Sequence, residues 1–266
     1  MTRLTQRLDQ YLVERGYFPS REQAQQAVRA GWVKINGTVL DKPSTAIKEP
    51  VEVLIYQKAP FVSRGGEKLW GAIAHFQISV RDRICLDGGI STGGFTDCLL
   101  QQGAKLVYGV DVGYGQVAWQ LRQHPRLILK ERTNLRYLQP QTLYGEDYTR
   151  EQMATLAVVD VSFISLTKIL PTLWELLTAP KEVLLLVKPQ FEAQRSQVGK
   201  NGIVKDPAVH QQAISQVLTT AVQCGWQELG RIPAPIKGRT GNQEYWLWLA
   251  MHKTLAESNA ILGDWL

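Results

Sequence analysis

From residue 64 to about 250 the chain alternates short apolar runs with amphipathic stretches, and no other feature restricts its fold as tightly. The runs are RICLDGG, KLVYGVDVG, RLILKE, ATLAVVDVS and EVLLLVKP. Among them lie FTDCLLQQG, GQVAWQLRQ and LTKILPTLWELL, which read as helices. Strands alternating with helices build an α/β domain around a doubly wound parallel sheet. In such sheets ligands bind outside the carboxyl ends of the strands. The residues that close each run are therefore the place to look for chemistry.

The first run closes on Asp87 and opens into LDGGISTGGFTD, with glycines at 88, 89, 93 and 94. Gly-rich turns from strand to helix let backbone amides approach a cofactor. This turn is neither GxGxxG nor GxxxxGK[ST], which disfavours a dinucleotide and a nucleoside triphosphate. An acid ahead of it suits a cationic or hydroxyl-rich ligand such as a sulfonium amino acid; a tight turn without a ligand is the plain alternative. Asp111 closes the second run, where an acid bonds ribose hydroxyls in Rossmann-like folds. Asn134 follows the third run and either meets an adenine amino group or stabilises a turn. Asp160 and Lys188 close the next two, and Glu244 precedes a last apolar strand in GRTGNQEYWLWLAM. Trp246 and Trp248 alternate on that strand and so share a face. A lysine at the end of a buried run is costly unless it is used.

The first 58 residues read as a separate α+β unit. RLDQYLVERGY carries Leu4, Leu8 and Leu12 at helical spacing and stops at Gly16. PSREQAQQAVRAGW is a second helix, with Ser20 and Gln23 as a capping box and Gly31 as its stop. WVKINGTVL folds back at Asn36-Gly37 as a hairpin, and VEVLIY adds a strand over 51–56. KAPFVSRGGEKL follows as a linker, marked by Pro60 and Gly65-Gly66. The expected domains are 1–58, a linker at 59–63, 64–250, and a tail at 251–266.

The net charge is +6, and residues 1–60 hold nine Lys/Arg against six Asp/Glu. Arg3, Arg7, Arg15, Arg21, Arg29 and Lys34 recur through the two helices and into the hairpin. Such a stripe either faces phosphates or is a solvated surface. RLDQYLVERG and SREQAQQAVRAGWVKINGTVL resemble the alpha-L RNA-binding fold of a small-subunit ribosomal protein, many pseudouridine synthases and some tRNA synthetases. The resemblance implies that these six residues grip structured RNA.

Other classes are excluded more simply. Three cysteines lie far apart and form no CxxC pair, so they read as reduced thiols of a cytoplasmic protein. Four histidines show no ligand spacing, and no metal is expected. MTRLTQRLDQ has no apolar core of a secretory signal, and no apolar run is long enough to span a membrane.

STGGF, DVGYGQ.AW.LR, ERTN.R, DVSFISL, LVKPQFE and GN.EY are together similar to the TlyA, or haemolysin A-like, family. These are ribosomal RNA 2'-O-methyltransferases related to the FtsJ (RrmJ) enzymes. The resemblance implies a Rossmann-like S-adenosylmethionine-dependent methyltransferase fold, with S-adenosylmethionine as cofactor and ribosomal RNA or ribosomal subunits as partner. The expected substrate is a cytidine ribose in RNA of the 16S and/or 23S type, and a monomer is favoured. It also implies a Lys-Asp-Lys-Glu tetrad, which falls on Lys68 of SRGG.KL, Asp160, Lys188 and Glu244. Cofactor contacts fall on Asp87, Gly89, Ser91, Gly93, Phe95, Asp111, Asn134 and Asp160.

In this reading Lys188 activates a ribose hydroxyl, Asp160 orients it, and Lys68 with Glu244 holds the ribose. Arg64 joins the RNA-binding set. So do Arg195 and Lys200 of FEAQRSQVGKNGIVKDPAVH, a long basic segment that reads as an RNA-contacting flap. One departure stands out. The turn reads DGGIST where the family commonly has DIGAST or DVGAST, so Gly88 is expected to loosen the strand end and Ile90 to add bulk. Three rivals are weighed: an RNA-binding protein with a dead catalytic fold, a cytolysin, and a base methyltransferase. The intact tetrad, the missing membrane segment, and a strand ending in DVSF argue against them in turn.

Overall fold

The computed structural model describes residues 5–48, 50–55, 60–238 and 240–251. The N-terminal unit runs β1 (Thr5–Arg7), α1 (Leu8–Glu14), α2 (Arg21–Arg29), β2 (Val33–Ile35), β3 (Thr38–Val39), β4 (Ala46–Lys48) and β5 (Val53–Ile55). The first helix begins at Leu8, not at Leu4. Thr5–Arg7 is instead a strand paired antiparallel with β4. Arg3 and Leu4 lie outside the described residues. Both short strands escape a periodicity argument, because AIK buries only Ile47. The Ser20 hydroxyl does cap α2, accepting from the Gln23 amide at 3.2 Å. Leu8, Leu12, Ala24, Val28, Val33 and Ile47 close a core belonging to this unit.

The larger domain opens with α3 (Arg64–Phe76). Gly65 and Gly66, read as part of a linker, stand inside this helix. Packing requires the second of them: a Cβ on Gly66 would run into the Phe61 ring. Then come β6 (Ile84–Gly88), α4 (Gly94–Gln101), β7 (Leu106–Val110), α5 (Trp119–Arg122), β8 (Leu127–Lys130) and α6 (Pro140–Tyr144). After these follow β9 (Ala154–Val159), α7 (Leu170–Leu176), β10 (Leu177–Val187), α8 (Pro189–Glu192), α9 (Pro207–Gln223), β11 (Trp226–Pro233) and β12 (Tyr245–Met251).

The seven strands lie in the order β11-β12-β10-β9-β6-β7-β8. Five are parallel, but β12 runs antiparallel to both β10 and β11. The sheet is therefore mixed, a correction to the parallel reading. β11 was missed because it is an edge strand whose odd positions alone are covered. Val158 and Val159 on β9, like Leu184 and Leu185 on β10, face two different cores, one on each side of the sheet. That is why their runs are continuously apolar. Trp246 and Trp248 share one face, packing near Phe95 and Phe76.

The basic segment after Lys188 is built, not loose. It makes 3-10 turns at Arg195–Gln197 and Lys200–Gly202, and residues 207–210 belong to α9. Asn242 accepts from the Val204 amide at 2.9 Å and donates to the Gly202 carbonyl at 2.8 Å. His210 bridges the Val204 carbonyl and the Tyr245 hydroxyl. The segment is thus fastened to the loop that leads into Glu244.

Candidate active site

Four ends of the scaffold converge at the carboxyl rim of the sheet. Lys68 projects from α3, and Glu244 sits one residue before β12. Lys68 Nζ donates to Glu244 Oε2 at 2.6 Å, with side chains only 11% and 4% exposed. Asp160 follows β9 directly and Lys188 follows β10 directly. Their Nζ–Oδ1 separation is 2.5 Å, and Lys188 Nζ also donates to Ser162 Oγ at 3.0 Å. Pro189 at the first turn of α8 turns the chain away at this point. All four residues line one cavity of about 280 Å³, together with Ser91 and Phe95.

A second cavity of about 280 Å³ adjoins it, lined by Asp111 and Asn134 among others. The two share Gly89, Ser91, Asp160 and Ser162. The Gly-rich turn shapes the junction. Gly89 has φ +90°, and a Cβ there would strike the Asp160 carbonyl, so only glycine allows this approach. The Asp160 amide donates to the Gly88 carbonyl at 2.9 Å, which stitches the ends of β6 and β9 together. Asp111 accepts from the Ser91 amide at 2.8 Å and from the Gly113 amide at 2.7 Å. Each carboxylate oxygen keeps a further lone pair for a ligand hydroxyl. Asn134 lines the second cavity and also caps a turn, since its Oδ1 accepts from the Arg136 amide at 3.0 Å.

Asp87 is placed differently. It is fully buried behind the turn, accepts from Thr96 Oγ1 at 2.7 Å, and lines neither cavity. Burial pushes its carboxyl up to about 7, with the nearby Asp160 charge acting the same way. Gly93 likewise lies off the cavities, against Leu121. Phe95 tilts against Trp246 with ring centroids 5.5 Å apart.

The DGGIST departure is absorbed by its neighbours. Gly88 is paired on both sides, with Val110 and with Val159, so the strand end is not loosened. A Cβ there would stand 2.6 Å from Leu135 Cδ2, so Leu135 fills the space a side chain would take. Ile90 is buried over Gly109, where a Cβ would stand 2.5 Å from Ile90 Cδ1.

Of the basic residues expected on RNA, Arg29 and Arg64 line the first cavity. Arg29 belongs to α2, so the N-terminal unit supplies part of its wall. The Trp32 indole donates to the Val62 carbonyl at 3.3 Å across the same junction. Arg7 and Arg21 meet at Asp9. Arg15 lies by the Tyr11 ring, and Lys34 is on β2. Arg195 and Lys200 are exposed on the fastened segment.

Two functional neighbours were missed by sequence reasoning. Ser162 holds Lys188. Glu192, buried, accepts from Ser165 Oγ at 2.5 Å and from the Leu166 amide at 2.9 Å. Burial pushes the Glu192 carboxyl up. This residue ties the loop after Lys188 to the loop after Asp160. The only trace of it in the sequence is an acid four residues beyond the lysine.

The FtsJ-like methyltransferase family matches residues 61–251, and the S4 domain matches residues 6–53. Over 260 residues the chain is 43% identical to the 16S/23S rRNA (cytidine-2'-O)-methyltransferase TlyA of Mycobacterium tuberculosis, covering 97% of this chain and 94% of that protein. The solved structure of a hemolysin-named protein of Streptococcus thermophilus superposes with a TM-score of 0.72 at 43% identity, covering 94% of this chain and 90% of that one. An S-adenosylmethionine-dependent methyltransferase of Mesorhizobium loti shares the fold alone, with 13% identity and a TM-score of 0.51 over 70% of this chain and 98% of that one. The Rossmann-like reading of the larger domain is thereby borne out. With a match that runs almost end to end at this identity, the chain belongs to the TlyA group of FtsJ-like methyltransferases, which carry an S4 domain ahead of the catalytic one.

Proposed function

We propose that the protein methylates the 2'-hydroxyl of a cytidine ribose in ribosomal RNA of the 16S and/or 23S type, with S-adenosylmethionine as donor, in the cytoplasm. One observation carries the reading. The Lys68–Glu244 and Lys188–Asp160 pairs line a single cavity, and Asp160 is shared with the cavity of Asp111 and Asn134. The M. tuberculosis relative, named for this reaction, supports it.

The donor set fits the cofactor. Asp111 offers acceptors for a ribose diol. Asn134, its oxygen already committed to the turn, offers its amide to an adenine ring. Gly89 lets the turn lie against the Asp160 backbone where the two cavities meet. Asp160 puts a carboxylate where a sulfonium is neutralised. The bound cofactor supplies an electrophilic methyl group.

The chain's own residues prepare the nucleophile. A ribose hydroxyl attacks poorly at neutral pH unless it is held in line and relieved of its proton. Lys188 Nζ, fixed by Asp160 and Ser162, holds the attacking oxygen. As the O–C bond forms and the methyl–sulfur bond breaks, the hydroxyl proton passes to Lys188 in its neutral amine form, and from there to water. The nearly buried Lys68–Glu244 pair holds the rest of the ribose. No helix among the described residues is long and apolar enough to cross a membrane, so nothing there supports a lytic reading.

Unmodified ribosomal subunits incubated with the protein and methyl-labelled S-adenosylmethionine test the proposal. Label is expected on the 2'-oxygen of a cytidine. Label on a base, or none on either subunit, overturns it.

A further inference from the structure

Asp9 of the N-terminal unit accepts five hydrogen bonds and lies outside the catalytic cavity. It is 0% exposed, in the first turn of α1. Arg7 Nε donates to its Oδ1 and Arg7 Nη2 to its Oδ2, both at 3.0 Å, as a two-pronged fork. Arg21 Nε donates to Oδ2 at 2.9 Å, and Gln25 Nε2 donates to the same oxygen at 2.7 Å. The Gln10 amide donates to Oδ1 at 3.1 Å. One buried carboxylate therefore binds the start of α1 to the start of α2. It also fixes two guanidinium groups side by side.

The charges do not cancel, since two arginines surround one acid and leave a net positive charge. The two arginine side chains remain 43% and 50% exposed. Each guanidinium has five N–H donors, and the Asp9 contacts use two from Arg7 and one from Arg21. Among the described residues the rest make no hydrogen bond to a carboxylate, and they can meet phosphate oxygens, for which a planar fork is well matched. Side-chain freedom in two long residues is the main entropic cost of such contacts, and Asp9 has removed much of it before RNA arrives.

We propose that Asp9 is a positioning residue for RNA: it presets Arg7 and Arg21 as one two-arginine clamp for adjacent backbone phosphates. This rests on the ribosomal RNA reading only in the choice of RNA. Simple charge counting predicts the opposite sign, because removing an acid from a phosphate-binding surface strengthens attraction.

The test is binding of the full chain to ribosomal subunits across a salt series. Asp9→Asn keeps the shape and one acceptor but removes the charge that holds both arginines. Binding is expected to weaken roughly tenfold, and the slope of log affinity against log salt to become shallower by about 1 to 2. In an Arg7→Ala/Arg21→Ala background, Asp9→Asn is expected to add nothing further. An acid that only supports the fold would give an additive loss there instead. Thermal unfolding monitors the fold throughout. If Asp9→Asn does not fold, Arg7→Lys/Arg21→Lys decides, since it keeps both charges but not the forks. Near wild-type affinity in that variant, or tighter binding by Asp9→Asn, overturns the proposal, as does a wild-type chain that binds neither subunit. A wild type that binds but transfers no methyl overturns only the enzymatic reading, and the clamp is still judged by its variants.

Discussion

Lys188 illustrates how much a single residue depends on its partners. In the sequence it is a charge at the end of LLLV. In the fold it is held between Asp160 and Ser162. Lys188→Arg keeps a cation able to pair with Asp160 but gives up a group able to accept a proton at any accessible pH. If the hydroxyl proton passes to Lys188, transfer to ribosomal subunits falls by about 100-fold or more in single-turnover assays. Transfer near the wild-type rate would leave this residue only an orienting role.

Asp87 makes a prediction about stability at the same scale. Its folded value of about 7 lies above the ordinary carboxylate value of about 3.9. The folded state therefore holds a proton that the unfolded state has released. Stability from this group is complete below about pH 4 and is lost as pH rises through about 7. Asp87→Asn keeps an acceptor for Thr96 and does not titrate. Denaturant titrations are expected to show wild type losing on the order of 2 kcal/mol relative to Asp87→Asn between about pH 5 and pH 7.

Among the elements, α3 and α4 meet along a close seam. A Cβ on Gly94 would stand 2.9 Å from the Gly66 amide nitrogen, backbone that has nowhere to move without shifting α3. Because Lys68 rides on α3, the strain reaches the active site. Gly94→Ala is expected to destabilise the protein by roughly 1–3 kcal/mol and to slow transfer as well, by thermal unfolding and by assay. SRGGEKL looked like a linker because glycine pairs usually break helices. The reason for Gly66 lies in Phe61 and in the approach of Gly94 on the partner helix, which no local pattern records. β11 and β12 show the same limit, since which way a strand runs is set by its neighbours. Asp87, Asp111, Asp160 and Lys188, by contrast, were legible as strand ends, because the carboxyl-end rule depends only on where apolar runs stop; Glu244 precedes β12 and shares their rim because that strand runs antiparallel to β10.

For the molecule as a whole, the telling contact is Arg29. A residue of the S4 unit lines the cavity of Lys68, Lys188 and Glu244, so under the proposed function RNA held by one domain would sit at the chemistry of the other. Arg29→Ala is expected to weaken binding of ribosomal subunits several-fold and to reduce the salt slope by about 1. Cofactor affinity, measured by calorimetry, is expected to hold, because the Asp111 and Asn134 cavity does not include Arg29.

The sequence by itself determined the α/β class, the small basic N-terminal unit and the charged residues at the strand ends. Periodicity, turn chemistry and the end of each apolar run are local properties, and local properties are written in order along the chain. Only the tertiary structure decided that Lys68 pairs with Glu244, 176 positions away, and Lys188 with Asp160. It alone withdrew Asp87 from the cavity surface and brought Arg29 to it. Pairing, burial and the direction of the last strands depend on which surfaces meet, and that is fixed by packing around two faces of one sheet rather than by any stretch of residues.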